Sequence, residues 1–235
     1  MTPVSVILQH HRFNARPSSS ELAKPSRLSD FPLMSEHHQF IFPRDVHLPP
    51  PNWPALEAQL LEGSYVLPAQ GDTIPYRATN NNSFDADDAS WHSVHYCLGP
   101  SARPYLSDLV REDYDADPKN FPIMLLAFDG PNPRVMVGEN LSAPSVPGSN
   151  EPATPMPADS HIDFIGEAYE NPAVQWHCEQ SGRSYRILEL DWHYTFAMGF
   201  RMVQCEGLDR ESAQGLAGLI GELTGQVMGC SHRHL

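Results

Sequence analysis

Basic charge is scarce in this 235-residue chain: 15 lysines and arginines stand against 29 aspartates and glutamates, a formal net charge of −14. Phosphate recognition needs a cationic face, so binding to duplex nucleic acid is not expected. Docking on anionic lipid is disfavoured for the same reason. Long hydrophobic runs are also missing. No stretch approaches the roughly twenty apolar residues of a membrane span. The start, Met1-Thr2-Pro3-Val4-Ser5-Val6, has no basic segment of the kind that opens a secretory signal. Cysteines are few, at 97, 178, 205 and 230, with no C-x-x-C pair. Reduced thiols and a cytoplasmic location are the expectation.

Familiar catalytic signatures are absent as well. The chain has no G-x-S-x-G, no G-x-x-x-x-G-K-[ST] and no G-x-G-x-x-G. Asp113-Tyr114-Asp115-Ala116-Asp117 opens like a calcium loop. However, Pro118 occupies the place of the required glycine and Met124 that of the bidentate glutamate.

What the chain does have is histidine, twelve in all, and twenty-three prolines. Prolines and serines such as Arg16-Pro17-Ser18-Ser19-Ser20 mark residues 1–35 as an N-terminal extension. A single domain is expected over 36–235. Within it, Asn52 and Pro54 open a helix with the stripe Leu56, Leu60 and Leu61. Tyr65–Leu67 and Trp91–Leu98 read as strands. Ser101 is expected to cap a helix over about 102–112. Pro122–Phe128 is a continuous apolar run, the pattern of a strand buried on both faces. Asp129-Gly130-Pro131-Asn132 is a turn that returns the chain as a strand at 134–138. Residues 141–158 form a long proline-rich loop that suits a lid.

The C-terminal third predicts strands at 160–168, 172–179 and 184–204, then a helix over about 210–228 with Leu216, Leu219, Ile220, Leu223 and Val227 buried. Ser184–Phe200 alternates strictly: Leu188, Leu190, Trp192, Tyr194, Phe196 and Met198 on one face, Glu189, Asp191 and His193 on the other. A strand of that length must bend, and Gly199 is the candidate. A hairpin closed at Ser181-Gly182-Arg183 sets Trp176 opposite Leu188. Extending the register places Asp163 opposite His177 and His161 opposite Glu179. The fold class that follows is α+β: a mainly antiparallel curved sheet with the C-terminal helix on its apolar face. A partly closed barrel is one form that suits the long strand.

That register gathers His161, Asp163, His177 and Glu179 on one polar face, with Glu189 nearby. Two histidines and a carboxylate with open positions hold non-haem iron, and zinc also uses such a set. The pattern therefore predicts a metal-dependent enzyme acting on a small molecule. Fe(II) or Zn would sit on His161, Asp163 and His177, with Glu179 or Glu189 as general base or supporting group. Oxygenase and hydrolase chemistry are not distinguished. The competing expectation is a non-catalytic ligand-binding or protein-interaction module, with an apolar ligand between curved sheet and helix. The pairs His10-His11 and His37-His38 read as surface residues. Cys230, His232 and His234 read as a tail after the last helix. His92, His95 and Cys97 do not share one strand face and so make no complete site.

Overall fold

The computed structural model describes residues 37–49, 51–69, 74–80, 91–149, 153, 160–179 and 181–235, with backbone alone at 79, 80 and 91. All of them fall in the unit Glu36–Leu235. The extension expected at 1–35 and most of 150–159 lie outside the described residues. In chain order the elements are β1 (His37–Pro43), α1 (Trp53–Glu62), β2 (Val66–Pro68), β3 (Tyr76–Asn80), β4 (Trp91–Leu98), α2 (Asp108–Ala116), β5 (Pro122–Phe128), β6 (Arg134–Met136), α3 (His161–Glu170), β7 (Gln175–Cys178), β8 (Arg183–Arg186), β9 (Ala197–Gly199), β10 (Arg201–Cys205), α4 (Arg210–Thr224) and β11 (Met228–His234).

Mixed helix and antiparallel sheet is thus the architecture. Among the described residues, strands run β11-β1-β10-β5-β4-β2, and β3 takes the remaining length of the outer edge of β4. β11 stands at one edge and β2 with β3 at the other, so the sheet is open and no barrel closes. Two short antiparallel pairs, β6 with β9 and the hairpin β7–β8, form separate two-stranded sheets. Among the described residues, no helix is long and apolar enough to cross a membrane.

Period-two alternation divides the interior into two cores. Ile41, Ile123, Leu125, Val203 and Cys205 face a helical layer built from Trp53, Leu56 and Leu60 of α1, Val110 and Tyr114 of α2, and Leu216, Leu219 and Ile220 of α4. Phe40, Phe42, Leu126, Phe128 and Met202 face the opposite way. There they meet Phe164 and Ile165 of α3, Trp176 and Tyr185 of the β7–β8 hairpin, and Leu188, Leu190, Trp192 and Phe196. Phe40 and Ile41 are neighbours in sequence, sit in different cores, and are both fully buried. Each such side chain contributes about 1.5–3 kcal/mol by leaving water.

Several expectations are corrected. The helix after β4 starts at Ser107, not Ser101. Pro100–Tyr105 is a 3₁₀ turn, and the Ser107 hydroxyl accepts the Val110 N–H. Ser107 also donates to Asp209, the N-cap of α4, at 2.6 Å, tying the two helix starts together. β6 pairs with β9 rather than returning against β5. His37 and His38 open β1, and Cys230, His232 and His234 lie on β11, antiparallel to it. These residues are sheet, not tail, because β1 supplies a partner for both.

α4 is packed on β1 and β11. It ends at Gly225, whose φ of 69° is left-handed and natural only for glycine. Gly215 is needed for a different reason. A Cβ there would lie 2.2 Å from the Tyr105 carbonyl oxygen. Gly218, one turn on, has nothing within 4 Å. Gly215→Ala is therefore expected to destabilise the protein despite alanine's better helix propensity. Gly218→Ala should stabilise it by about 0.5–1 kcal/mol. Urea unfolding of the two variants beside wild type checks the opposite signs. Two variants of the same sign would refute the packing account.

Candidate functional site

The residues expected to hold a metal lie on separate elements. His161 and Asp163 are not on a strand but in the first turn of α3. Ser160 caps that helix, accepting the Asp163 N–H at 3.2 Å and donating to the Asp163 carboxylate at 2.6 Å. Asp163 is thus occupied with capping, and Ser160-x-x-Asp163 is the sequence signal that announces it. His161 is half-buried, its ring centroid 6.4 Å from that of Trp192. His177 is exposed on β7, with Nδ1 3.2 Å from the Ser184 hydroxyl. Glu179 is exposed in the turn that follows. Glu189 accepts the Arg186 N–H at 2.6 Å. The register that would have gathered them also differs. Trp176 pairs with Tyr185, not Leu188, and His177 with Ser184. Among the described residues, no three His, Cys, Asp or Glu side chains are grouped so as to hold a metal ion.

What the fold does assemble is a cleft of about 900 Å³ at the β11 edge. Its floor includes Phe42 of β1 and Met228, Gly229 and Cys230 of β11. One wall is α4, where Ala217, Gly218 and Gly221 expose little side chain. The other is the segment Leu188–Phe196. That segment is not the long strand its alternation suggests. Ile187–Glu189 form a 3₁₀ turn, Asp191 makes a single bridge with Ser145, and His193 and Tyr194 have φ of 52° and 70°. The even-numbered apolar residues Leu188, Leu190, Trp192, Phe196 and Met198 are nevertheless buried. Alternation reported burial correctly and conformation incorrectly.

A tyrosine in the left-handed region costs free energy and persists only where its surroundings hold it. Four contacts do so here. The Tyr194 hydroxyl donates to Gln39 Oε1 at 2.5 Å. Its carbonyl accepts the His232 N–H at 2.8 Å. Arg210 lies over its ring, 4.9 Å from the centroid. Just before it, the Asp191 carboxylate accepts the His193 N–H, a turn of the kind aspartate favours. Gln39 is buried and bridges the site to the fold, donating to the Leu208 carbonyl at the entry to α4. Burial pushes the Tyr194 phenol well above its ordinary value, so it serves as a neutral donor.

Tyr194 and Arg44 both line the cleft, and the Arg44 guanidinium donates to the Leu188 carbonyl at 3.2 Å. Between these ties the segment stands off from β11. The His232 N–H points outward to Tyr194, and the His234 N–H points outward to Asn140. Period-two geometry turns the main-chain groups of Cys230 and Met228 the same way, toward the cleft. Burial raises the Cys230 thiol, while Arg210 and Arg44 pull it down without prevailing. It is a protonated thiol at rest, not a poised nucleophile. Sequence reasoning missed Arg44, Arg210, Gly218 and Cys230 as cleft residues, and Gln39 as the support of Tyr194. No local pattern marks them, because they come from three separate parts of the chain: β1 and its end, α4, and β11. Comparison with protein-family models, curated proteins and solved structures gives no match.

Beside the cleft, His37 Nδ1 and His232 Nε2 are 2.9 Å apart with ring planes within 6°. One nitrogen must donate and the other accept, so the pair is satisfied when both rings are neutral. Burial lowers the His232 pKa below 6.5, and the nearby His37, His234 and His38 lower it further. Burial also lowers that of His95. Below pH 6.5 the unfolded chain binds protons that these native imidazoles refuse, so stability must fall as pH drops. Thermal melts between pH 7.5 and 5.5 should show Tm falling. A His232→Asn variant should show a shallower slope than wild type. Equal slopes would mean that His232 does not couple folding to protons.

Proposed function

We propose that the protein binds a small molecule in the cleft between α4 and the Leu188–Phe196 segment. The observation that carries this reading is the cleft's construction. A cavity of about 900 Å³ is within the range of small-molecule sites, which are concave, partly apolar and bear a few placed polar groups. Leu188, Leu190, Trp192 and Phe196 supply apolar lining. The Tyr194 phenol, two guanidiniums and the edge of β11 supply polarity.

Strain supports the same reading. The Asp191-Trp192-His193-Tyr194 turn holds two residues in left-handed conformation. Fixing a wall in this way preorganises a site and reduces the ordering cost of binding. The small-molecule part of the sequence expectation is retained. The iron or zinc part is not carried into the proposal: Asp163 caps α3, and His177 is exposed on the β7–β8 hairpin. Among the described residues Cys230 is the one thiol lining the cleft, and burial keeps it protonated.

A fragment library screened by thermal shift tests it. At ten times Kd, a ligand specific to the native state should raise Tm by roughly 3–6 °C. Gly218→Trp places an indole on an open wall position without disturbing the core. It should abolish most of those shifts while Tm in the absence of ligand stays near wild type. A library with no hits on wild type, or hits indifferent to Gly218→Trp, would defeat the proposal.

A further inference from the structure

Two arginines give the cleft a chemical preference, an inference that rests on the cleft being a binding site. Arg44 and Arg210 both line it. Arg44 donates to a neutral carbonyl, and Arg210 lies on a neutral aromatic face. Among the described residues, the ion pairs of arginine are made by Arg77, Arg103, Arg111, Arg186 and Arg201, and neither cleft guanidinium joins them. In a chain with 29 acidic and 15 basic residues, two exposed guanidiniums at one cavity, neither held by a carboxylate of the described residues, are free to take an incoming anion. Both act on the Cys230 thiol at the cleft floor. Guanidinium is the side chain best shaped for bidentate capture of a carboxylate.

We propose that the ligand is an organic monocarboxylic acid, its carboxylate held between Arg44 and Arg210 over the β11 edge and its apolar body against Leu190, Trp192 and Phe196. The acidic rim sets the limit on charge. Glu189, Asp191 and Glu222 also line the cleft, the first two anchored on a backbone N–H, from Arg186 and His193 respectively. They oppose polyanions and leave one anionic group as the charge the site accommodates.

The test uses the full chain and a panel of alkyl and aryl monocarboxylates, from acetate to decanoate and including 3-phenylpropionate. Each is paired with its uncharged primary amide, and inorganic phosphate is the control anion. Calorimetric titration should show acids with larger apolar bodies binding at least tenfold more tightly than their amides, with phosphate weaker than either. Arg44→Met and Arg210→Met should each weaken acid binding by about tenfold, equivalent to 1.4 kcal/mol. Amide binding should hardly change, and circular dichroism should confirm the fold. Amides that bind as well as acids would overturn the carboxylate assignment while leaving the cleft reading in place. So would phosphate competing as strongly as the acids, or acid binding that survives both substitutions. No binding by any acid, while neutral fragments still occupy the cleft, would overturn this inference alone. No binding by acids or fragments would overturn both. Site-resolved alkylation gives a second readout. Iodoacetate should gain on iodoacetamide at Cys230 relative to Cys97, and lose that advantage in Arg210→Met. An unchanged ratio would count against the guanidinium pair.

Discussion

Burial of both faces of β1 is the constraint on which the rest of the structure depends. Ile41 enters the helical core, while Phe40 and Phe42 enter the opposite one. β1 also pairs with β10 on one side and β11 on the other. Seven residues therefore join two cores and two strands. Gln39, on the same strand, reaches both the entry to α4 and the Tyr194 hydroxyl. The cleft floor, the α4 wall and the opposing segment all take their positions from this strand. A polar group as buried as Gln39 is tolerable only with its hydrogen bonds made, and here both ends of its amide have partners. This satisfaction links the position of Tyr194 to the fold rather than to loop conformation alone.

Elements whose burial and conformation follow one rule were legible in the sequence. β4 and β5 were, because a strand in mid-sheet shows its pattern locally. α1 was, because Asn52, Pro54 and the leucine stripe act within three turns. The C-terminal helix was legible too, although Gly225 ends it before the expected limit and leaves Val227 exposed rather than buried. α3 was missed because Ile162 and Phe164, alternating with His161 and Asp163, also fit a period of two. The deciding signal was the capping pair Ser160 and Asp163. β1 and β11 were missed for a different reason. Each resembles tail chemistry alone, and their stability comes from pairing residues almost two hundred positions apart.

The segment Leu188–Phe200 shows why alternation can misreport conformation. Apolar residues at every second position are required only to reach the core, and a strand is one way to reach it. Here Ile187 and Leu188 are both buried, so a 3₁₀ turn shifts the phase by one residue. Two left-handed residues then reverse the chain before Phe196 returns to the interior. The chain does break at Gly199, the expected bend, where β9 ends before β10 enters the main sheet. The candidate site was illegible for the same reason. Its wall exists because the segment is not a strand: a continuous strand could pair along the β11 edge and leave no opening.

An open sheet edge is a hazard, since its unpaired main-chain groups invite another chain. Most of β11 is protected. Tyr194 covers His232, and Asn140 with Glu139 covers His234. Only the stretch at Met228–Cys230 opens into the cleft, and there the guard is charge. Arg44 and Arg210 lie beside it and the rim carries Glu189 and Asp191. Charges of both signs at an edge disfavour pairing with an apolar strand, because pairing would strip them of water. A small ligand that brings its own charge to the guanidiniums avoids most of that penalty. The same side chains that exclude a strand thus admit an anion, so protection of the edge and selectivity of the cleft follow from one arrangement.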